Sequence, residues 1–168
     1  MKTIATLLLA WSTAAAAQAP PMQANADLKN AQGQAVGRVT LTETPHGVLM
    51  HASLTGLPEG THAFHIHQTG ACVPPFTSAG GHFNPTAKQH GIVNAMGMHA
   101  GDLPNVQVPA DGKLTFDVLA PGVTLGAGPN SLLKQGGTAI VMHASADDYT
   151  SDPAGNAGAR IACGVVTK

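Results

Sequence analysis

The stretch His46-Gly47-Val48-Leu49-Met50-His51-Ala52-Ser53-Leu54 decides the fold class. Val48, Met50, Ala52 and Leu54 recur at a period of two, the pattern of a strand with one face on a core. Downstream, Leu57-Pro58-Glu59-Gly60 is a turn, and His62-Ala63-Phe64-His65-Ile66-His67 is a second alternating strand. Upstream, the pattern becomes β-like from Ala26, after a Pro- and polar-rich lead at 18–25. Residues 68–101 form a long irregular stretch dense in Gly, Pro, His and Asn. Strand-like segments resume at 103–109, Leu114–Leu119, Thr138–Met142 and Arg160–Val166, with a second long loop at 144–159. No segment carries an apolar helical stripe, and 20 Gly and 12 Pro argue against a helical bundle, since both are costly in helix interiors. Many short strands with frequent turns predict one all-β domain, an antiparallel sandwich or barrel, over 26–168.

Residues 1–17 read as a cleaved signal peptide: Lys2, an apolar run from Ile4 to Trp11, then an alanine tract ending at Ala17. Cleavage is expected after Ala17, leaving Gln18 first. The apolar stretch from Ile4 to Ala19 is shorter than the ~20 residues that span a bilayer, and no Cys lies near the cleavage site to carry a lipid. The expected location is periplasmic or secreted, with no membrane attachment after cleavage. An oxidising compartment favours one disulfide between the only two cysteines, Cys72 and Cys163, over two free thiols. Charged residues make up 10% and the net charge is -1, which argues against a nucleic-acid partner.

Nine histidines are the chemical signal. His65 and His67 stand at i and i+2 on a strand, so both leave the face opposite Phe64 and Ile66 and can converge on one ion. His82, His90 and His99 lie in the long loop, with Asp102 just after it. Three imidazoles and one carboxylate suit tetrahedral zinc. Structureless loops of such length are functional or disordered, and the histidines favour function.

Five motifs in order resemble the copper/zinc superoxide dismutases, over nearly all of the chain from Asp27 onward. They are His62–Gly70, Gly80-Gly81-His82-Phe83-Asn84-Pro85, His90 with His99-Ala100-Gly101-Asp102-Leu103, Val141–Asp148 and Gly155–Gly164. The resemblance implies an eight-stranded antiparallel Greek-key β-barrel or sandwich whose two long loops form the metal site. It implies one copper per chain on His65, His67, His82 and His143, and one zinc on His82, His90, His99 and Asp102. His82 would bridge the two ions. Asp147 would link a copper-ligand to a zinc-ligand histidine, Cys72 and Cys163 would pair, and Arg160 would orient an anion. The implied activity is dismutation of superoxide to dioxygen and hydrogen peroxide, by alternate reduction and reoxidation of the copper, with His82 and Arg160 catalytic.

A copper-binding or delivery protein on the same fold is the alternative; it would be expected to lack copper ligands or to add a Cys-x-x-Cys motif. A decayed structural sandwich would not need Arg160 and Asp147, and a zinc hydrolase would need an open zinc position. His62 is expected to be a structural core histidine, His46 and His51 to face solvent or pack on the sheet, Met96, Met98 and Met142 to fill gaps, and Asp148 and Asp152 to be solvated. The segment Val73-Pro74-Pro75-Phe76 lies in a loop of variable length in the family, which leaves a homodimer open. The second loop holds no Lys, and Lys88 and Lys134 are the nearest cations in sequence, so weak steering and a modest salt dependence are expected.

Overall fold

The computed structural model describes residues 20–168, so the signal peptide expected at 1–17 lies outside the described residues. Nine strands follow in order: β1 Gln23–Asn30, β2 Ala35–Thr44, β3 Gly47–Leu54, β4 Gly60–His62, β5 Phe64–His67, β6 Val106–Val108, β7 Leu114–Ala120, β8 Ala139–His143 and β9 Arg160–Thr167. The only helical turn among the described residues is a short 3-10 segment at Thr77–Ala79. Seven strands form one curled antiparallel sheet in the order β5-β8-β9-β1-β2-β3-β7, and β4 pairs with β6. The chain turns from β3 to β4 through residues 55–59, and it crosses from β7 at one edge of the sheet to β8 near the other through the long connection 121–138, as in a Greek key.

The alternation in β3 is realised: Val48, Met50, Ala52 and Leu54 are buried, while Leu49, His51 and Ser53 are exposed. They join Leu28, Leu41, Phe64, Ile66, Ile140 and Met142 in one core, with Phe64 edge-on to Phe116 at 5.1 Å between ring centroids. Two boundaries differ from the sequence reading. β1 begins at Gln23, so Gln23–Asn25 belong to the sheet rather than to the lead; Ala24 is fully buried opposite Leu41. The strand read as His62–His67 divides at Ala63, giving nine strands rather than eight. There Ala63 N donates to Ser145 O at 2.9 Å and Ala63 O accepts from His143 N at 2.9 Å. The root of the second long loop thus enters the strand at the point where His65 and His67 begin.

Strands β5 and β8 are buried on both faces. Phe64, Ile66, Ile140 and Met142 fill the main core. On the other face Ala139 and Val141 pack with Phe76, Ala79 and Cys163 in a smaller cluster beneath the first long loop. That second cluster lies on the same face of β8 that pairs with His65 and His67 of β5.

Candidate metal centre

The strand pleat sends His65 and His67 to the loop-covered face of β5, as their spacing predicts. His143 ends β8, where the register against β9 shifts between Met142 and His143 and sets His143 opposite Arg160. His82 comes alongside His67 through an isolated bridge, secured by Gln68 N to Gly81 O at 2.9 Å and Phe83 N to Ile66 O at 2.8 Å. One ring nitrogen from each of His65, His67, His82 and His143 lies within 4.8 Å of the others, and all four residues are buried. His67 Nε2 and His143 Nε2 face each other at 3.3 Å. His65 Nδ1 and His82 Nε2 are buried without a hydrogen-bond partner. Orphaned buried nitrogens are costly, and four imidazole nitrogens converging on one point suit copper.

The second group meets the first at His82. Asp102 Oδ1 accepts from Nδ1 of His82 at 2.7 Å, of His90 at 3.1 Å and of His99 at 3.2 Å. Its Oδ2 accepts from the backbone N–H of Gly91 at 2.9 Å and of His99 at 3.0 Å. The donor set of three imidazoles and one carboxylate fits four-coordinate zinc. Burial raises the Asp102 carboxyl, but hydrogen bonds from His82 and His90 win and hold it well below the usual carboxylate range. Burial pushes His67 down to about 2, His143 to about 3 and His82 to about 4, so these rings are neutral, as ligands must be. His90 goes the other way: burial lowers it, but bonds to Asp102 and Asp147 raise it to about 9.

Asp147 joins the two groups. Its Oδ2 accepts from His65 Nε2 at 2.8 Å, and its Oδ1 from His90 Nε2 at 3.0 Å and from the Tyr149 N–H at 2.6 Å. Burial opposes ionisation, yet the bonds from His65 and His90 hold it down at about 2. Gly155, at φ 65°, keeps the space beside this contact free: a Cβ there would lie 2.7 Å from His90 Nε2 and closer still to the Asp147 carboxylate. With Nε2 of both rings taken by this carboxylate, Nδ1 of each is left to face its own group.

Arg160 donates through Nη1 to Phe76 O and through Nη2 to Gly80 O, both at 2.6 Å. The Gly80 carbonyl also accepts from His67 Nδ1 at 2.9 Å. The loop carrying both carbonyls is tied to β9 by the disulfide Cys72–Cys163, a separation of 91 residues. Among the described residues no cysteine is free. His62 is structural, its ring held between the carbonyl oxygens of His143 at 2.9 Å and Pro58 at 3.0 Å.

Other expectations are refined. His51 is exposed and pairs with Asp117 at 2.7 Å. Met142 is core, whereas Met96 is two-thirds exposed and fills no gap. Asp152 is not merely solvated: its carboxylate accepts from the His90 backbone N–H at 2.6 Å. Asp148 is exposed but gathers the backbone N–H groups of Thr150 and Ser151 and the side chain of Asn156, which shapes the second loop. Lys134 lines a groove with Gln68, Thr69 and Asn84. Asn105 and Tyr149, both tied to Asp147, were missed; their signal is in three-dimensional contacts, not in motif spacing.

Fold and site together define an all-β domain built on one curled antiparallel sheet, with two adjoining metal-binding groups that share one imidazole. The family model described as copper/zinc superoxide dismutase matches residues 35–166, and the chain belongs to that family. It is 53% identical over 148 residues to "Superoxide dismutase [Cu-Zn] 2" of Aquifex aeolicus, covering 86% of each chain. It is 46% identical over 147 residues to the Cu-Zn superoxide dismutase of Caulobacter vibrioides, covering 85% of this chain and 84% of that one. A superoxide dismutase-like protein from Bacillus subtilis superposes with a TM-score of 0.82 at 43% identity, over 85% of this chain and 97% of that one. The Cu/Zn superoxide dismutase from Brucella abortus gives a TM-score of 0.71 at 29% identity, over 87% and 100%. The chain is accordingly an oxidoreductase acting on superoxide, with copper and zinc as cofactors. The delivery alternative is disfavoured: all four copper-type histidines are present and both cysteines are bonded to each other.

Proposed function

We propose that this chain converts two superoxide anions and two protons to dioxygen and hydrogen peroxide, with the roles divided as follows. His65, His67, His82 and His143 hold copper; His82, His90, His99 and Asp102 hold zinc. Bound there, copper supplies one-electron redox chemistry and zinc a fixed positive charge. The observation that carries the reading is the state of His82: Nδ1 donates into the Asp102 cluster while Nε2 points, buried and unpartnered, into the four-histidine cluster.

The residues' own contributions follow from their positions. Arg160 keeps a guanidinium beside His67 and His143, held by two carbonyls and free to donate its other N–H groups to a small anion. Nε2 of His82 is the base that would hold one proton and return it to departing peroxide; burial disfavours the doubly protonated, charged ring and leaves Nε2 open as an acceptor in the metal-free chain. Asp147 keeps His65 and His90 in fixed tautomers.

The test is superoxide dismutation by protein loaded with one copper and one zinc. A fast copper-dependent rate that disappears in His82→Ala supports the reading. An inactive protein at full loading overturns it.

We also propose export with removal of residues 1–17, leaving 18–25 as a lead and 26–168 as the catalytic domain, active in the periplasm or as a secreted protein. The intrachain disulfide and the bacterial relatives support this. Among the described residues no helix is long and apolar enough to cross a membrane. Mass spectrometry of the secreted chain tests the cleavage at Ala17, and sedimentation tests the homodimer.

A further inference from the structure

Asp147 belongs to a loop, yet its carboxylate must meet two rings held by two other segments. Loops are the mobile part of a fold, so something must fix the backbone of Asp147. The candidate is Asn105, the residue just before β6. Its Nδ2 donates to Asp147 O at 2.9 Å, and its Oδ1 accepts from Asp147 N at 2.8 Å. One side-chain amide therefore reproduces the two-bond exchange of a paired strand residue. The backbone N–H of Asn105 donates to the Tyr149 hydroxyl at 2.7 Å, while the Tyr149 N–H donates to Asp147 Oδ1. Asp147 is thus gripped through its main chain by Asn105 and through its carboxylate by Tyr149. Asn105 also follows Asp102 by three residues, through the buried Leu103. The segment from Asp102 to Asn105 carries a carboxylate of the zinc-type group at one end and the anchor of the linking carboxylate at the other.

We propose that Asn105 is a positioning residue. Its amide sets the main chain of Asp147 so that one carboxylate reaches both His65 and His90, and it thereby stabilises zinc at His82, His90, His99 and Asp102. The inference rests on the metal assignment above and deepens it. Asn105 belongs to neither of the two candidate ligand groups.

The experiment measures zinc release to a chelator from the full mature protein loaded with zinc alone. Asn105→Ala is expected to release zinc about 10-fold faster, the low end for a group that orients a ligand's partner. In an Asp147→Asn background the same substitution is expected to add nothing, because its effect passes through the Asp147 carboxylate. Gln107→Ala is the structural control. It removes the exposed Thr61–Gln107 hydrogen bond of 2.6 Å between β4 and β6, two residues away, and should leave zinc release unchanged. If Asn105→Ala does not fold, Asn105→Asp replaces it, keeping an acceptor for Asp147 N–H and setting an oxygen against Asp147 O; it too should speed release. Unchanged release in the Asn105 variants overturns the inference, as does equal acceleration in the Asp147→Asn background or in Gln107→Ala. If the unaltered protein holds no zinc against the chelator, the metal assignment itself fails.

Discussion

Gly155→Ala tests how tightly the Asp147 link is packed. Two costs add at this position. Alanine at φ 65° adopts the left-handed region, at about 1–2 kcal/mol. The new methyl also lies against the Asp147 carboxylate and 2.7 Å from His90 Nε2, and overpacking a closed site costs about 1–3 kcal/mol. Gly33→Ala separates the two, because Gly33 has φ 79° and no atom within 4 Å of its Cβ position. It should show the backbone cost alone. The methyl has one easy escape, displacement of Asp147 from His90, and losing that bond should weaken zinc binding by about 10–100-fold. Denaturant unfolding of both variants gives stability, and competition with a zinc chelator gives affinity. A Gly155→Ala protein no less stable than Gly33→Ala, with zinc affinity unchanged, would refute the geometry of this contact.

Replacing Cys72 and Cys163 by Ser should cost roughly 4–5 kcal/mol by the chain-entropy argument for so long a loop, read by urea unfolding; it should also lower activity, since the carbonyls that hold Arg160 lie on the released loop. The metal-free protein should be most stable near pH 6–7. Below that, the unfolded chain takes protons that buried His67, His82 and His143 refuse, so stability falls as pH falls. Above it, His90, held up at about 9, contributes stability that is lost as pH rises toward that value. Denaturation midpoints at several pH values decide this, and a flat profile would count against it. Arg160→Ala should lower the second-order rate with superoxide by about 10-fold or more at low ionic strength. Salt should slow the unaltered enzyme only modestly, because the second long loop holds three Asp and no Lys; a steep fall with salt would contradict that expectation.

The strand pattern and the His65/His67 pair were legible because both obey local rules; that His143 joins this pair and that His82 is shared between the two groups was implied by the family resemblance alone. Period two in β3 names its buried face, and the i, i+2 pair on β5 names its histidine face. The break at Ala63 was not legible, since its partners, His143 and Ser145, arrive from a distant part of the chain. The start of β1 was hidden because alanine, at Ala24, contrasts little with its neighbours. The work of Asn105 and Asp152 was hidden for another reason. Each acts on a backbone far along the chain, and such a contact leaves no periodicity or motif behind it.

The Gly80 carbonyl serves Arg160 and His67 at once. On the roles proposed above, it would give the anion-orienting guanidinium and a copper-holding ring a common datum. A displacement of that oxygen would carry both side chains with it, so their separation should change less than the position of either.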